Sequence, residues 1–377
     1  MLKTIFMQAL IGVVAVNLAI ISENVKAEEL STVPANKSSP DVAPLARTEK
    51  ITVPAGVFGA NAIDEGRLMI GYTPMYMHMQ DNYIGSSGVS AETIVTTVPS
   101  AVKLGNGTSE MYRIVPTSMN VSAQMFHVMY GVADGVTLMA MTSYLDKSMN
   151  MTTYAGSSGA KVLGQSSGVT SGFGDTALNS LWRIYRSGTG SAQLGLGLSL
   201  PTGSINETTS MLSPANRMMT MRASYGMQLG SGTLDFLPGL TYTGHEERWS
   251  WGTAYRGRIA LNGNSNGYRY ANKHELDLWG GYGLTHGVTL TGRLAGSTQG
   301  AIRGADAQIS GLMPGSNPAF YGGRRIDLFG GVDIPGKAMG FKSGKLSIEA
   351  GNTVYRNLNG PQLGSSWQVN ALIGISI

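Results

Sequence analysis

From about residue 67 to its end, the sequence repeats one pattern, in which apolar and polar side chains alternate over runs of roughly a dozen residues. In the last run, the odd positions of 367–377 are apolar, whereas the even positions are mainly small or polar. A period of two gives a β-strand two different faces. The chain is therefore predicted to fold as β-structure, with one apolar face along each strand.

Twelve strands are predicted, joined alternately by short turns and by long polar loops. The predicted strands are 67–79, 115–130, 136–150, 173–186, 191–201, 231–243, 248–261, 272–284, 288–299, 324–335, 345–356 and 366–377. Bacterial outer-membrane barrels have an even number of antiparallel strands, with short turns at one end and long loops at the other. The sequence therefore predicts an all-β fold, a transmembrane antiparallel up-and-down β-barrel of about 12 strands over residues 66–377.

The charged residues of the predicted strands share the face opposite the apolar one. We predict that the following charged residues line the lumen: Arg183, Asp235, Arg248, Arg256, Arg258, Glu275, Asp277, Arg293, Arg325, Asp327 and Glu349. A β-sandwich would also separate charged from apolar residues, because its outer face meets water. The membrane barrel is favoured because Trp249, Trp251 and Tyr282 lie near strand ends, as in the aromatic girdles of such barrels.

The N-terminal residues carry the features of a secretory signal peptide, predicted over 1–27, with an apolar stretch over about 9–21. Residues 28–65 are rich in Ala, Pro, Ser and Thr, and we predict a flexible segment or a plug there. After the signal peptide, no apolar run approaches the roughly 20 residues that a membrane helix needs. A membrane form of this chain is therefore a barrel, expected in the outer membrane of a Gram-negative bacterium after signal-peptide export.

Methionine is concentrated near the start of the predicted barrel. There are 21 methionines, and twelve of them lie between residues 69 and 151, several at a spacing of two. The candidate soft-metal ligands are Met75, Met77, Met79, Met125, His127 and Met129. If they face the lumen, they suit Cu(I) or Ag(I). The alternative is that methionine serves as a flexible apolar residue facing lipid or packing against a plug. The second strand leaves both open, because Phe126, Val128 and Tyr130 compete for its outward face.

No catalytic site and no cofactor is predicted. Residues 164–168 match the G-x-S-x-G pattern of hydrolases, but they lack the strand-to-helix context that this motif requires, and we expect a loop. The five histidines show no metal-ligand spacing among themselves. The net charge of +4 is small and dispersed, so no nucleic-acid partner is expected.

Short blocks at 172–175, 194–204, 227–233, 303–306, 322–325 and 360–363 stand in order along the chain. The first two contain G-x-G-D and L-P-T-G-S, and they resemble the transporter-like outer-membrane proteins of the MetA-pathway of phenol degradation family. The other blocks resemble a Met-rich branch of that family. The resemblance implies an outer-membrane barrel for the passage of small, often hydrophobic molecules, without catalytic residues. That branch is similar to copper-handling proteins with His-x-His after a G-V-x-G string, where this chain has Asn61 and Ile63.

Three functions are consistent with the sequence. The first is a passive outer-membrane channel whose lumenal charges tune selectivity. The second is a copper- or silver-handling barrel that uses the methionines, and the third is a structural or adhesive barrel. The expected partners are outer-membrane lipid, the barrel-assembly machinery, a small-molecule solute and, for the second function, a soft metal ion.

Overall fold

The computed structural model describes residues 52–309, 311–341 and 343–376. The chain divides into two units, Met1–Glu49 and Lys50–Ile377, and all described residues belong to the second. The predicted signal peptide and residues 28–51 of the predicted lead segment lie outside the described residues.

The described residues form mainly β-strands. The strands are β1 (Leu68–Gly85), β2 (Ser87–Val89), β3 (Pro99–Lys103), β4 (Ser109–Met111), β5 (Ile114–Ala133), β6 (Val136–Tyr154), β7 (Val162–Phe173), β8 (Thr176–Arg186), β9 (Gly190–Leu200), β10 (Thr208–Leu212), β11 (Met218–Arg222), β12 (Asp235–Glu246), β13 (Trp249–Ala260), β14 (Tyr268–Arg269), β15 (Lys273–Gly283), β16 (Thr289–Gln299), β17 (Arg303–Gly304), β18 (Gly323–Pro335) and β19 (Lys345–Ser376). Helical segments are α1 (Ala91–Thr97) and 3₁₀ turns at Tyr225–Met227, Thr285–Gly287, Pro314–Ser316, Pro318–Phe320 and Gly336–Met339. No helix in the described ranges is long and apolar enough to cross a membrane.

Eleven strands of the described chain form a closed antiparallel barrel. Their order around the wall is β1, β5, β6, β8, β9, β12, β13, β15, β16, β18 and β19, and β19 pairs with β1 to close it. The strands β2 and β7 pair with β1 and β6 outside this closed order. Closure leaves no wall strand with an unpaired edge along the ring. The predicted all-β antiparallel barrel is confirmed.

The last strand crosses the wall twice. β19 has 32 residues, and its first part pairs with β18 as far as Leu358, whereas its second part pairs with β1. Ser343 Oγ donates a hydrogen bond to the carbonyl oxygen of Ser376 at 3.2 Å, although the two residues are 33 positions apart. The strand therefore folds back on itself near Gly360. The two arms of this hairpin correspond to the last two predicted strands, 345–356 and 366–377.

The two ends of the barrel differ in their connections. At one end, called the turn end, short segments join β5 to β6, β8 to β9, β12 to β13, β15 to β16 and β18 to β19. At the other end, called the loop end, longer segments contain β2, α1, β3, β4, β10, β11, β14 and β17. The sequence predicts this asymmetry but misses the short elements of the loops.

The predicted strand 173–186 corresponds to β8, and β7 continues the same wall position toward the loop end, over residues predicted as a loop. β7 pairs with the loop-end half of β6 and β8 with its turn-end half. Tyr144 faces Phe173 and Met141 faces Ala177, so β6 advances three residues while the other strand advances four. This one-residue bulge bends the wall at that point. Residues 164–168 lie on β7, so the loop predicted there is wrong.

Large apolar side chains cover the outside of the barrel. Exposed examples are Tyr76, Phe126, Tyr130, Leu240, Trp251, Leu276, Leu294, Leu328, Ile348, Trp367, Ile373 and Ile375. On β5, Phe126 is 48% exposed, whereas its neighbour His127 is 5% exposed. The odd positions of β5 therefore face the lumen, which settles the orientation that the sequence leaves open. An apolar outer surface around a polar interior is the arrangement of outer-membrane barrels.

Candidate functional site

One side of the lumen carries a chain of ion pairs across neighbouring strands. Arg256 of β13 bonds to Glu275, and to Asp277 at 2.7 Å. Arg293 of β16 bonds to the same Asp277 at 2.7 Å and to Glu349 of β19 at 2.5 Å. The side chains of Asp277 and Glu349 are 0% and 1% exposed. Charges buried to this degree need compensation, and here each carboxylate has a guanidinium partner.

The other predicted lumenal charges are more scattered. Arg258 bonds to Asp235 at 2.5 Å, and Arg325 pairs with Asp327 at 2.9 Å. The remaining two lie at the turn end: Arg183 pairs with Asp134 at 3.3 Å, and Arg248 lies exposed in the turn before β13. The expectation that Arg248 lies on the strand is wrong, because β12 and β13 are joined by a turn of which Arg248 is part.

Residues 52–62 lie against the inner wall and are held through their main chain. Five side chains donate to carbonyl oxygens: Trp279 to Thr52 at 3.1 Å, Lys345 to Val53 at 3.1 Å, Arg256 to Gly56 at 3.1 Å, Gln193 to Ala60 at 2.6 Å and Arg183 to Ala62 at 3.2 Å. A Cβ at Gly56 would lie 2.4 Å from both Arg293 Nη2 and Glu349 Oε1. Only glycine therefore fits where this segment crosses the ion pairs.

The opposite side of the lumen is lined by methionine. All eleven methionines of β1, β5 and β6 lie at odd positions, on the inward faces of these strands, and together they are called the thioether column. They are Met69, Met75, Met77, Met79, Met119, Met125, Met129, Met139, Met141, Met149 and Met151. Cross-strand register aligns Met69, Met129 and Met139 at the turn end. The column thus runs along the wall toward the loop end, where Met119 pairs with Met79 and with Met149.

His127 is the imidazole within the column. Its ring lies over β1, where a Cβ at Gly71 would be 2.0 Å from Nε2. Its Nδ1 is buried and has no hydrogen-bond partner. The six candidate metal ligands therefore share the inward face of β1 and β5. Within the described ranges, no group of three or more His, Cys, Asp and Glu side chains is placed to hold a metal ion.

At the loop end, the column continues into a cavity formed by the loops. Met211 and Met313 belong to the same apolar cluster as Met119, Met149 and Met151. Beside them lies a cavity of about 130 Å³, called the outer cavity, and its lining includes four thioethers. These are the side chains of Met211, Met219, Met221 and Met313. An unbroken set of methionines therefore connects the loops with the barrel wall.

A tyrosine cluster lies among the same loops, formed by Tyr225 and Tyr268 with Tyr270 and Tyr321 packed against them. Tyr270 Oη donates to the carbonyl oxygen of Tyr225 at 2.7 Å. Burial raises the pKa of Tyr268 to about 12 and also raises the pKa of Tyr225. The buried phenols of Tyr225 and Tyr268 are therefore neutral at ordinary pH.

Asp175 ties the bent wall strand to both ends of the long loop between β9 and β12. It accepts hydrogen bonds from Gly203 N at 3.1 Å and from Ser231 N and Oγ at 2.9 and 2.8 Å. It also pairs with Arg258 at 2.9 Å. A Cβ at Gly230 would lie 2.3 Å from the carbonyl oxygen of Gly203, so the two loop ends touch. This arrangement is called the Asp175 junction.

Sequence reasoning missed the Asp175 junction and the outer cavity. Three of the sequence blocks, 172–175, 194–204 and 227–233, meet at the junction. The available signal was that all three blocks contain glycine and resemble motifs of one family. The outer cavity had no such signal, since its methionines come from separate loops.

Comparison with solved structures relates this fold to outer-membrane channels. The COG4313 outer membrane channel from Pseudomonas putida F1 superposes with a TM-score of 0.52 at 13% sequence identity, covering 85% of this chain and 99% of that chain. The Ralstonia pickettii toluene transporter TbuX and the P. putida toluene transporter TodX, at 12% and 11% identity, both give a TM-score of 0.41 and cover 83% of this chain and 90% of theirs. No protein-family profile and no curated protein matches the sequence.

Proposed function

We propose that this chain is an outer-membrane channel of a Gram-negative bacterium through which small, uncharged apolar molecules pass along the thioether column. The carrying observation is the division of the lumen, with eleven methionines on β1, β5 and β6 and paired charges on the other side. Thioethers are apolar, flexible and polarisable, and they form favourable contacts with aromatic rings. An apolar solute can therefore pass along the thioethers, whereas an ion would lose its hydration there without gaining a polar partner.

The ion pairs on the other side support the same proposal. Arg256 and Arg293 are engaged by carboxylates, so they present no free positive charge to a passing anion. A barrel of this size lies between eight-stranded barrels filled by side chains and sixteen-stranded porins with an aqueous channel. A narrow passage is therefore expected. The sequence resemblance to the MetA-pathway family and the barrel fold both support this proposal, and we propose that the chain belongs to the Met-rich branch of that family.

Solute uptake by proteoliposomes tests the proposal. Replacing Met77 and Met125 together with glutamine is expected to lower benzene uptake about tenfold, because burying an unpartnered amide costs about 1–3 kcal/mol and 1.4 kcal/mol corresponds to tenfold. Met218, which is 61% exposed on β11, provides the control, and Met218→Gln should leave uptake unchanged. Equal uptake by the double variant, or equally fast uptake of a sugar by the unmodified protein, contradicts the proposal.

We further propose that the lead segment predicted over 28–65 acts as a plug, on the basis of its described residues 52–65. The support comes from the described part of the segment, whose carbonyl oxygens receive the five hydrogen bonds from the wall. Gly56→Val is expected to displace this part, because its Cβ alone would meet Arg293 and Glu349 at 2.4 Å. Ion conductance across a planar bilayer should then rise at least severalfold. Gly105, which has nothing within 4 Å of its Cβ position, provides the matched Gly105→Val control. Unchanged conductance in Gly56→Val would argue against a plug.

Soft-metal handling is the second candidate function. The observation in its favour is that the six candidate ligands share one inward face, with the Nδ1 of His127 lacking a hydrogen-bond partner. Calorimetric titration with silver ions tests it on the protein and on a variant in which Met75, Met77, Met79, Met125 and Met129 are leucine. Soft-metal handling requires that the unmodified protein binds silver and that the variant does not. Identical heats of titration in both proteins would contradict this function.

A further inference from the structure

Of the four methionines that line the outer cavity, Met219 is the most exposed, Met221 is half-buried, and Met211 and Met313 are buried. On the hairpin of β10 and β11, Met211 pairs with Met219, and both line the cavity. Met211 is 2% exposed, whereas Met219 is 50% exposed. The preceding residue, Met218, is 61% exposed but pairs with Leu212 and does not line the cavity. Two accessible thioethers therefore lie side by side in sequence, and one of them borders the path of the solute.

We infer that Met219 is an oxidant-sensitive site at which sulfoxide formation closes the outer cavity to apolar solutes. The oxidant is a peroxide. A sulfur lone pair attacks one oxygen of hydrogen peroxide, and the S–O bond forms as the O–O bond breaks. The departing hydroxide takes up the proton of the transferred oxygen and leaves as water. The sulfur loses two electrons and hydrogen peroxide gains them. The product is a polar, chiral side chain in place of a flexible apolar one.

The lining of the cavity explains why this change matters. The other thioethers, Ile114 and Leu312 offer the sulfoxide oxygen no hydrogen bond, so the possible side-chain donors in the lining are Ser213, Ser316 and Arg222. Arg222 lines the same cavity, and its Nε is buried without a hydrogen-bond partner, 3.8 Å from Asp306. A sulfoxide oxygen that turns into the cavity can accept a hydrogen bond from this group or from a serine hydroxyl. A polar group there attracts water and occupies space that an apolar molecule needs.

The size of the cavity defines the solute affected. An apolar protein cavity of about 150 Å³ stays dry and binds benzene, and the outer cavity has a volume of about 130 Å³. A single aromatic ring is therefore the largest solute expected to reside in it. This inference rests on the proposed function for its consequence in transport, but benzene binding to the cavity can be measured without transport.

The test uses the full-length protein treated with hydrogen peroxide, alongside Met219→Leu and Met218→Leu. Peptide mass spectrometry reports the site of oxidation, and benzene binding is measured in detergent and benzene uptake in proteoliposomes. We expect Met219 to oxidise well before Met211. Peroxide should lower benzene binding and uptake at least fivefold in the unmodified protein and in Met218→Leu, and leave Met219→Leu unaffected. Methionine sulfoxide reductase should restore both.

Two results would overturn the inference: an equal loss of benzene binding in peroxide-treated Met219→Leu, or full oxidation of Met219 with binding unchanged. Failure of the proposed function looks different, because untreated protein would then show no benzene uptake. Oxidation at Met219 that still abolishes benzene binding in that case upholds the site and refutes only the channel.

Discussion

Replacing Asp175 with alanine is expected to lower the free energy of unfolding by about 2–4 kcal/mol, because Gly203 and Ser231 lose a charged acceptor and each buried donor left unsatisfied costs about 1–3 kcal/mol. The side chain of Asp175 is 7% exposed, and its loss leaves Arg258 with one carboxylate instead of two. It also leaves the amide of Ser231 without its acceptor. Urea unfolding followed by tryptophan fluorescence, in detergent micelles, measures the change.

Asp134 supplies the matched control for this substitution. It also pairs with an arginine, at 3.3 Å, but its side chain is 90% exposed. An exposed pair contributes little, because solvent screens it, so Asp134→Ala should unfold at the urea concentration of the unmodified protein. Asp175→Asn keeps one acceptor oxygen and should lie between the two. An Asp175→Ala midpoint equal to that of Asp134→Ala would mean that the junction does not hold the loop to the wall.

Replacing Arg293 with methionine is expected to have a comparable effect on stability, about 3–5 kcal/mol. The substitution leaves Asp277 without one of its two guanidinium partners and Glu349 without the guanidinium that it pairs with. The guanidinium also lies 4.1 Å above the ring of Phe329. Methionine keeps much of the packing, so the measured loss reports mainly on the unpaired carboxylates.

A compensating variant makes this prediction specific. Arg293→Met combined with Glu349→Gln removes both charges of that pair, and it should recover more than half of the lost stability, since uncompensated buried charge is the costly feature. Arg325→Met is the control, because Arg325 is 33% exposed and its removal affects a less buried carboxylate, Asp327. Equal destabilisation by all three variants would show that packing, and not charge, dominates at Arg293.

The alternation of side chains predicted most of the barrel. A strand with an apolar outer face and a polar inner face must alternate apolar and polar residues with a period of two. The alternation failed at residues 162–173, where β7 is rich in Gly and Ser and reads as a loop. β10 and β11 were also missed. Their five residues each are stabilised by pairing with each other and packing against the wall, which local sequence does not reveal.

The candidate site was predictable only in part. Period-two patterns placed the charges of the strands on one face, but which carboxylate meets which guanidinium depends on register between strands, as for Arg256 and Asp277. The orientation of β5 was undecidable because Phe126 and Met125 are both apolar. Closure decides it, since β5 pairs with β1 along its length and both must face the same lumen. Arg248 was misplaced because strand ends depend on turn geometry.

The hydrogen bonds that the wall donates to residues 52–62 have a consequence for which amino-acid substitutions this segment accepts. Every one of the five bonds from the wall ends on a main-chain oxygen, which all amino acids share. Gly56 is limited by its close contacts, Gly59 by its φ of 63°, and Asn61 by the hydrogen bond that its Oδ1 accepts from Gln193, whereas the other side chains of this stretch are limited mainly by volume. The stretch should accept wide substitution among small residues, so randomised libraries of it ought to remain foldable, while the wall residues that grip it tolerate little variation.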